Sequence, residues 1–230
     1  MSGFLRHRGR NWVCGMVLFL LAVPPTSTGQ EHESSSSRKI SQRGAPIEPS
    51  ITGTIRDGVY RNAFFEFSCK IPAGWVLRTD EMNRPDVSGD EAESPPNQAA
   101  KEGRVLLAAF SRPPLALGED INSSIVIAAE SLAAYPGMKD AAQYFGAITE
   151  IAKDRGFRVD EEPYEFQAGS RTLARGDYER DVGSRVMHQS TLVLLSRGYA
   201  LSFTFIGGTD DEIDELTGSI SFAREADRGK

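Results

Sequence analysis

Histidine and cysteine are nearly missing from this chain. Its 230 residues include three histidines, at 7, 32 and 188, and two cysteines, Cys14 and Cys69. Zinc and copper sites draw on several such side chains, so the sequence assigns no metal ligand and no cofactor. The lack of cysteine also removes any internal disulfide once the N-terminal segment is set aside, because Cys69 is then alone. There is no G-x-S-x-G turn, no glycine-rich phosphate loop and no internal repeat. The apolar run at 12–23 falls short of the roughly 20 residues that span a bilayer.

That run still has a meaning. Arg6, His7, Arg8 and Arg10 precede it, and Pro24, Pro25, Thr26, Ser27, Thr28 and Gly29 follow. A basic start, a short apolar centre and a small-residue end make the pattern of a secretory signal peptide, expected over 1–29 with cleavage before Gln30. Cys14 sits near the start of the apolar run and belongs to that signal. The expected place of the protein is secreted or periplasmic, with an N-terminal anchor if the signal is retained. From Gln30 on, the chain carries 23 Lys and Arg against 32 Asp and Glu, a formal charge of −9. That balance argues against nucleic acid and anionic membrane surfaces, which bind through clustered cations.

Residues 30–50 are polar, rich in serine and closed by two prolines, the composition of a disordered linker. One domain follows at 51–226. Inside it, 80–103 is polar and reads as a long surface loop. Phe65, Phe67, Cys69 and Ile71 alternate with Phe64, Glu66, Ser68 and Lys70, a period of two that marks a strand with one inward set. The segments 104–111 and 123–132 are apolar on both faces and read as inner strands. Strands are further expected at 158–166, 171–181, 186–195 and 199–206, the last two joined by a tight Arg197-Gly198 turn, with a short final strand at 219–222. Ala141, Tyr144, Phe145, Ile148, Ile151 and Ala152 fall at helical spacing, and Gly156 is placed to end that helix. Thr209 and Glu212 have the spacing of a capping box at the start of a second helix, which Gly218 would stop. An α+β fold is expected, an α/β/α sandwich whose twisted, mainly antiparallel sheet carries helices on both faces.

Tyr60-x-Asn62 with Phe65 and Phe67, the Ile71-Pro72-x-Gly74-Trp75 step, the Arg197-Gly198-Tyr199 hairpin with Leu201 and Phe203, and the closing Ser219-x-Ser221-Phe222 resemble the PsbP-like family with its Mog and DcrB relatives. The resemblance implies an α/β/α sandwich and, for most members, a non-enzymatic role as an accessory subunit or binding protein. The photosynthetic members bind through their own N-terminal segments and surface histidines. This chain has a serine-rich linker and a single histidine in the domain, so no family site residue is transferred.

The residues capable of chemistry have plainer readings. Cys69 shares a strand face with large apolar residues, where a thiol packs as a small hydrophobe. His188 lies among Val186, Leu192 and Leu194 at one parity, with no evident orienting carboxylate. The acidic run at 210–215 suits a helix N-terminus, and that at 160–162 a solvated turn, neither with EF-hand spacing. Gly207-Gly208 could offer amides to an anion, but acidic neighbours oppose it. Asn122-Ser123-Ser124 is a glycosylation sequon by pattern alone. Arg171, Arg175, Arg180 and Arg185, interleaved with Asp177, Glu179 and Asp181, are expected to form cross-strand ion pairs.

The chain therefore reads as an exported, non-catalytic accessory or binding protein of the cell envelope with a protein partner. A small-ligand or calcium carrier is the alternative, and a thiol enzyme using Cys69 a third reading. Intact mass of the protein recovered from its native envelope is expected to place the mature N-terminus at Gln30; a species retaining 1–29 would instead show the segment acting as an anchor.

Overall fold

A computed structural model describes residues 50–84, 103–113, 121–159 and 161–222. The expected signal peptide, almost all of the linker, positions 85–102 of the expected loop and the tail after 222 lie outside the described residues. Two antiparallel sheets are built from β1 (Thr54–Arg56), β2 (Val59–Asn62), β3 (Phe67–Lys70), β4 (Val76–Leu77), β5 (Gly103–Phe110), β6 (Ser124–Ser131), β7 (Tyr164–Ala168), β8 (Arg171–Val182), β9 (Arg185–Ser196), β10 (Tyr199–Gly207) and β11 (Ile220–Phe222). The smaller has the order β1-β2-β3-β11 and the larger β4-β5-β6-β10-β9-β8-β7. Three α-helices among the described residues, α1 (Thr79–Met82), α2 (Ala141–Asp154) and α3 (Asp210–Thr217), complete the α+β fold.

One face of the large sheet is covered by the small sheet and by α3. Phe67 stands edge-on to Phe203 with ring centroids 5.0 Å apart, and Phe222 meets both rings at 6.1 Å. Ile213 and Leu216 of α3 join the same core as Leu192, Leu201 and Phe205. The opposite face is covered by α2, whose Tyr144, Phe145, Ile148 and Ala152 pack on Tyr178, Met187, Val193 and Ala200. Gly176 in β8 is needed for that approach, since a Cβ there would lie 2.6 Å from the Phe145 ring. Tyr144 also donates its hydroxyl to the buried Glu130 carboxylate of β6 at 2.6 Å, pinning helix to sheet. The helices thus lie on both faces as the period of the sequence requires. The small sheet is an additional layer, because 67–70 pairs with β2 and β11 rather than entering the large sheet.

Four local expectations change, the first being the strand expected from Phe65: residues 63–66 form a turn with Glu66 at φ 59°, and β3 begins only at Phe67. The strand placed at 158–166 begins only at Tyr164, while Arg158 makes an isolated bridge to Glu179. Thr209 does cap α3 through the Glu212 amide at 3.2 Å, but Glu212 reaches back to the Gly208 amide at 2.8 Å rather than to that of Thr209. Gly218, at φ −64°, ends α3 without entering the left-handed region that glycine allows. An unforeseen hairpin joins β1 to β2 through Asp57 and Gly58, both at positive φ (52° and 69°), the turn chemistry that an Asp-Gly pair supplies.

Asn62 holds the small sheet in place. Its side chain, 1% exposed, donates to the Ile51 carbonyl at 2.7 Å and to the Tyr60 hydroxyl at 3.1 Å, and accepts from the Phe65 amide at 2.9 Å. The Tyr60 hydroxyl in turn accepts from the Gly53 amide at 3.0 Å. Removing the Asn62 side chain strips the Phe65 amide and the Ile51 carbonyl of these partners, at about 1–3 kcal/mol per buried group. Asn62→Ala is therefore expected to lower unfolding stability by about 2–4 kcal/mol in urea titrations, and a loss below about 1 kcal/mol would show the network to be ornamental.

Candidate functional site

Cys69 lies on the inner face of β3 with no exposed surface. Its Sγ sits 3.4 Å from the Ser219 Oγ and 3.7 Å from the Lys70 carbonyl. Burial pushes its pKa up to about 11, the reverse of the electropositive setting that makes a thiolate. His188 is on the other side of the core, on β9, so the structure does not bring the two together as nucleophile and base.

What surrounds His188 differs from the sequence expectation. It is the strand partner of Glu179 and of Gly207, and α3 begins just beyond Gly207. Its Nδ1 lies 2.9 Å from Oδ1 of Asp210 and 3.5 Å from Oε1 of Glu179. Two carboxylates thus face the imidazole that had none in sequence view. The signal was partly countable: Val182 pairs with Arg185 across a two-residue turn, and that register sets Glu179 opposite His188. Asp210 comes from α3, whose placement no spacing reveals.

These groups line an open recess of about 350 Å³ with Glu161, Arg175, Asp177 and Asp214. Arg175, only 11% exposed, is held by Asp177 at 2.9 Å and Asp214 at 3.7 Å and stacks over Tyr164 and Phe166. The remaining arginines are also engaged. Arg171 meets Glu66 at 3.6 Å, and Arg180 covers the Phe157 ring. Arg175 and Arg171 do form ion pairs, but within β8 and to other layers, so these are not the cross-strand pairs expected of the group. Gly208 spends its amide on Glu212, and Gly207 packs against the same side chain, which leaves this turn unsuited to an anion. Asn122 uses its carbonyl oxygen for the Ser111 hydroxyl and the Arg112 amide, both at 3.0 Å.

A second recess, about 540 Å³, lies between β1 and β4, the end strands of the two sheets among the described residues. Its walls include Ile55 of β1 and Leu77 of β4, two of the three exposed large apolar side chains among the described residues, at 40% and 48% exposure. Arg84 and Arg104 also line it, and neither makes an ion pair with a described residue. Below it the edge of β5 is closed by side chains: Asn83 bonds both the amide and the carbonyl of Val105, at 3.0 and 2.8 Å, and Thr79 accepts from Ala108 at 2.9 Å. The Arg78 guanidinium grips Glu81 through two bonds, at 2.7 and 2.8 Å.

No family model and no curated protein matches the chain. Among solved structures it is similar to LpqN of Mycobacterium tuberculosis, described as involved in cell envelope biogenesis, at 15% identity over 69% of this chain and 83% of that one, with a TM-score of 0.37. The Ran-binding protein Mog1p of Saccharomyces cerevisiae is similar at 9% identity over 77% and 98%, TM-score 0.41. A Pseudomonas aeruginosa protein of unknown function, described as a putative regulator, is similar at 16% identity over 61% and 87%, TM-score 0.33. Likeness at this level assigns neither a family nor an activity to the chain.

The Cys69 thiol generates its own test. A pKa raised from 9.0 to about 11 favours the protonated native state. That contribution is complete below pH 9 and is lost as pH rises towards 11. The native protein is expected to lose stability across this window more steeply than Cys69→Ala, by up to about 2–3 kcal/mol. Alkylation at pH 8, mapped by peptide mass, should label Cys69 only after urea unfolding; rapid native labelling would contradict its burial.

Proposed function

We propose that the chain is an exported, non-catalytic binding protein of the cell envelope, and that it engages a protein partner at the recess between β1 and β4. The observation that carries the reading is the β1 edge. All three of its residues are exposed, one side pairs with β2, and the other carries no strand among the described residues. An open edge is a template for a strand from another chain. Ile55 and Leu77 supply apolar anchors on the two walls, and Arg84 and Arg104 favour a segment that carries carboxylates. The partner is accordingly a protein presenting an extended acidic segment. The leader and linker of the sequence support export and reach, and the buried thiol supports a role without covalent chemistry.

A photo-crosslinker at position 55 or 77 tests this in intact cells of the source organism. The expected result is a discrete adduct in the envelope fraction from both positions, reduced at least about tenfold by Arg104→Glu, a change that reverses a charge facing the segment. Absence of an adduct from both positions, or an adduct indifferent to Arg104→Glu, would remove the β1 edge as the docking site.

A further inference from the structure

We propose that Glu179, His188 and Asp210 form a binding site for a divalent transition ion, of which zinc fits the donors best. This site lies at the opposite end of the large sheet from β1 and is independent of the docking reading. The three side chains come from β8, β9 and α3, and one ligand atom of each falls within 4.8 Å of the other two. Ligand atoms about 2.0–2.2 Å from a tetrahedral zinc stand roughly 3.3–3.5 Å apart. His188 Nδ1 lies 2.9 Å from Asp210 and 3.5 Å from Glu179, so small rotations suffice to close the set.

The surroundings favour a cation over a simple hydrogen-bonded histidine. Two carboxylates converge on one imidazole, and of the two only Glu179 has a guanidinium partner among the described residues, Arg158 at 3.3 Å. Arg175, which lines the same recess, is taken by Asp177 and Asp214. Arg158 touches the site only from behind. Its Nη2 donates to Oε2 of Glu179 at 3.3 Å while Nη1 bonds Asp181 at 2.7 Å, which leaves Glu179 Oε1 as the oxygen nearer the imidazole. Outer groups that orient a ligating carboxylate in this way are a regular part of metal sites. Asp210, at the first position of α3, has its backbone set by the Thr209 cap.

The donor set also selects the ion. Calcium takes six to eight oxygens, whereas three protein donors including a ring nitrogen suit zinc, with water in the fourth position facing the open recess. The calcium-carrier alternative is thus redirected towards a transition ion.

The full chain, stripped of metal and titrated with Zn²⁺ alone by calorimetry and thermal shift, is expected to bind one ion that is lost in His188→Gln and in Asp210→Asn. Arg158→Gln should weaken binding about 10–100-fold without abolishing it. The metal-free variants should melt as the metal-free parent does, so that loss of binding is not loss of fold. Zinc binding that survives His188→Gln would place it at another site, such as His7 or His32, and overturn the proposal. So would a thermal shift with Ca²⁺ but none with Zn²⁺, or no binding at all at about 100 µM free Zn²⁺, which corresponds to a free energy weaker than about 5.5 kcal/mol.

Discussion

A single buried amide sets the geometry of one whole layer. Asn62 bonds the incoming chain at Ile51, its neighbour Tyr60 and the turn amide of Phe65. Those bonds fix where β2 ends and where Phe65 and Phe67 enter the core. Inside a protein such bonds are strong, and an unmade one is costly, so the three partners hold one arrangement. Gly53 belongs to the same constraint, since a Cβ there would lie 2.4 Å from the Arg61 carbonyl and 2.5 Å from the Tyr60 ring. If this corner loosened, the small sheet would lose its register against the large one, and the cover over Phe203 and Phe205 would go with it.

The inner face of the large sheet changes character along its strands. Towards the centre it carries Leu173, Leu192, Leu201 and Phe203, all buried. Continuing along the same parity of β8 and β9, Arg175, Asp177, Glu179 and His188 replace them. Helix α3 spans the transition, with Ile213 and Leu216 over the apolar part and Asp210 and Asp214 over the polar part. One amphipathic helix of eight residues therefore both closes the core and walls the recess, so the chemistry at His188 depends on hydrophobic packing a turn away.

Period and turn chemistry made much of the fold legible. The alternation at Phe67 and Cys69, the doubly apolar β5 and β6, the Arg197-Gly198 turn and the helical spacing of α2 are local patterns, and local patterns are what a sequence displays. The assignment of β3 to a separate sheet was not legible, because it rests on the pairing of Cys69 with Ile220, and nothing near either residue names the other. The same limit applied to the recess: Glu179 opposite His188 follows from hairpin register, but Asp210 arrives through tertiary packing. Cys69 showed the reverse case, where the inward parity alone was enough to foresee its buried setting.

The pairing of β3 with β11 brings Cys69 against Ile220, and its Sγ against the Ser219 hydroxyl 150 residues along the chain. Contacts of such long range must wait for loop closure and slow folding. During synthesis the edge of β3 that faces away from β2 lacks its strand partner until 220–222, the last described residues, have been made. The chain is thus a late closer: its N-terminal hairpin can form early, but the sandwich locks only when the strand at 220–222 arrives.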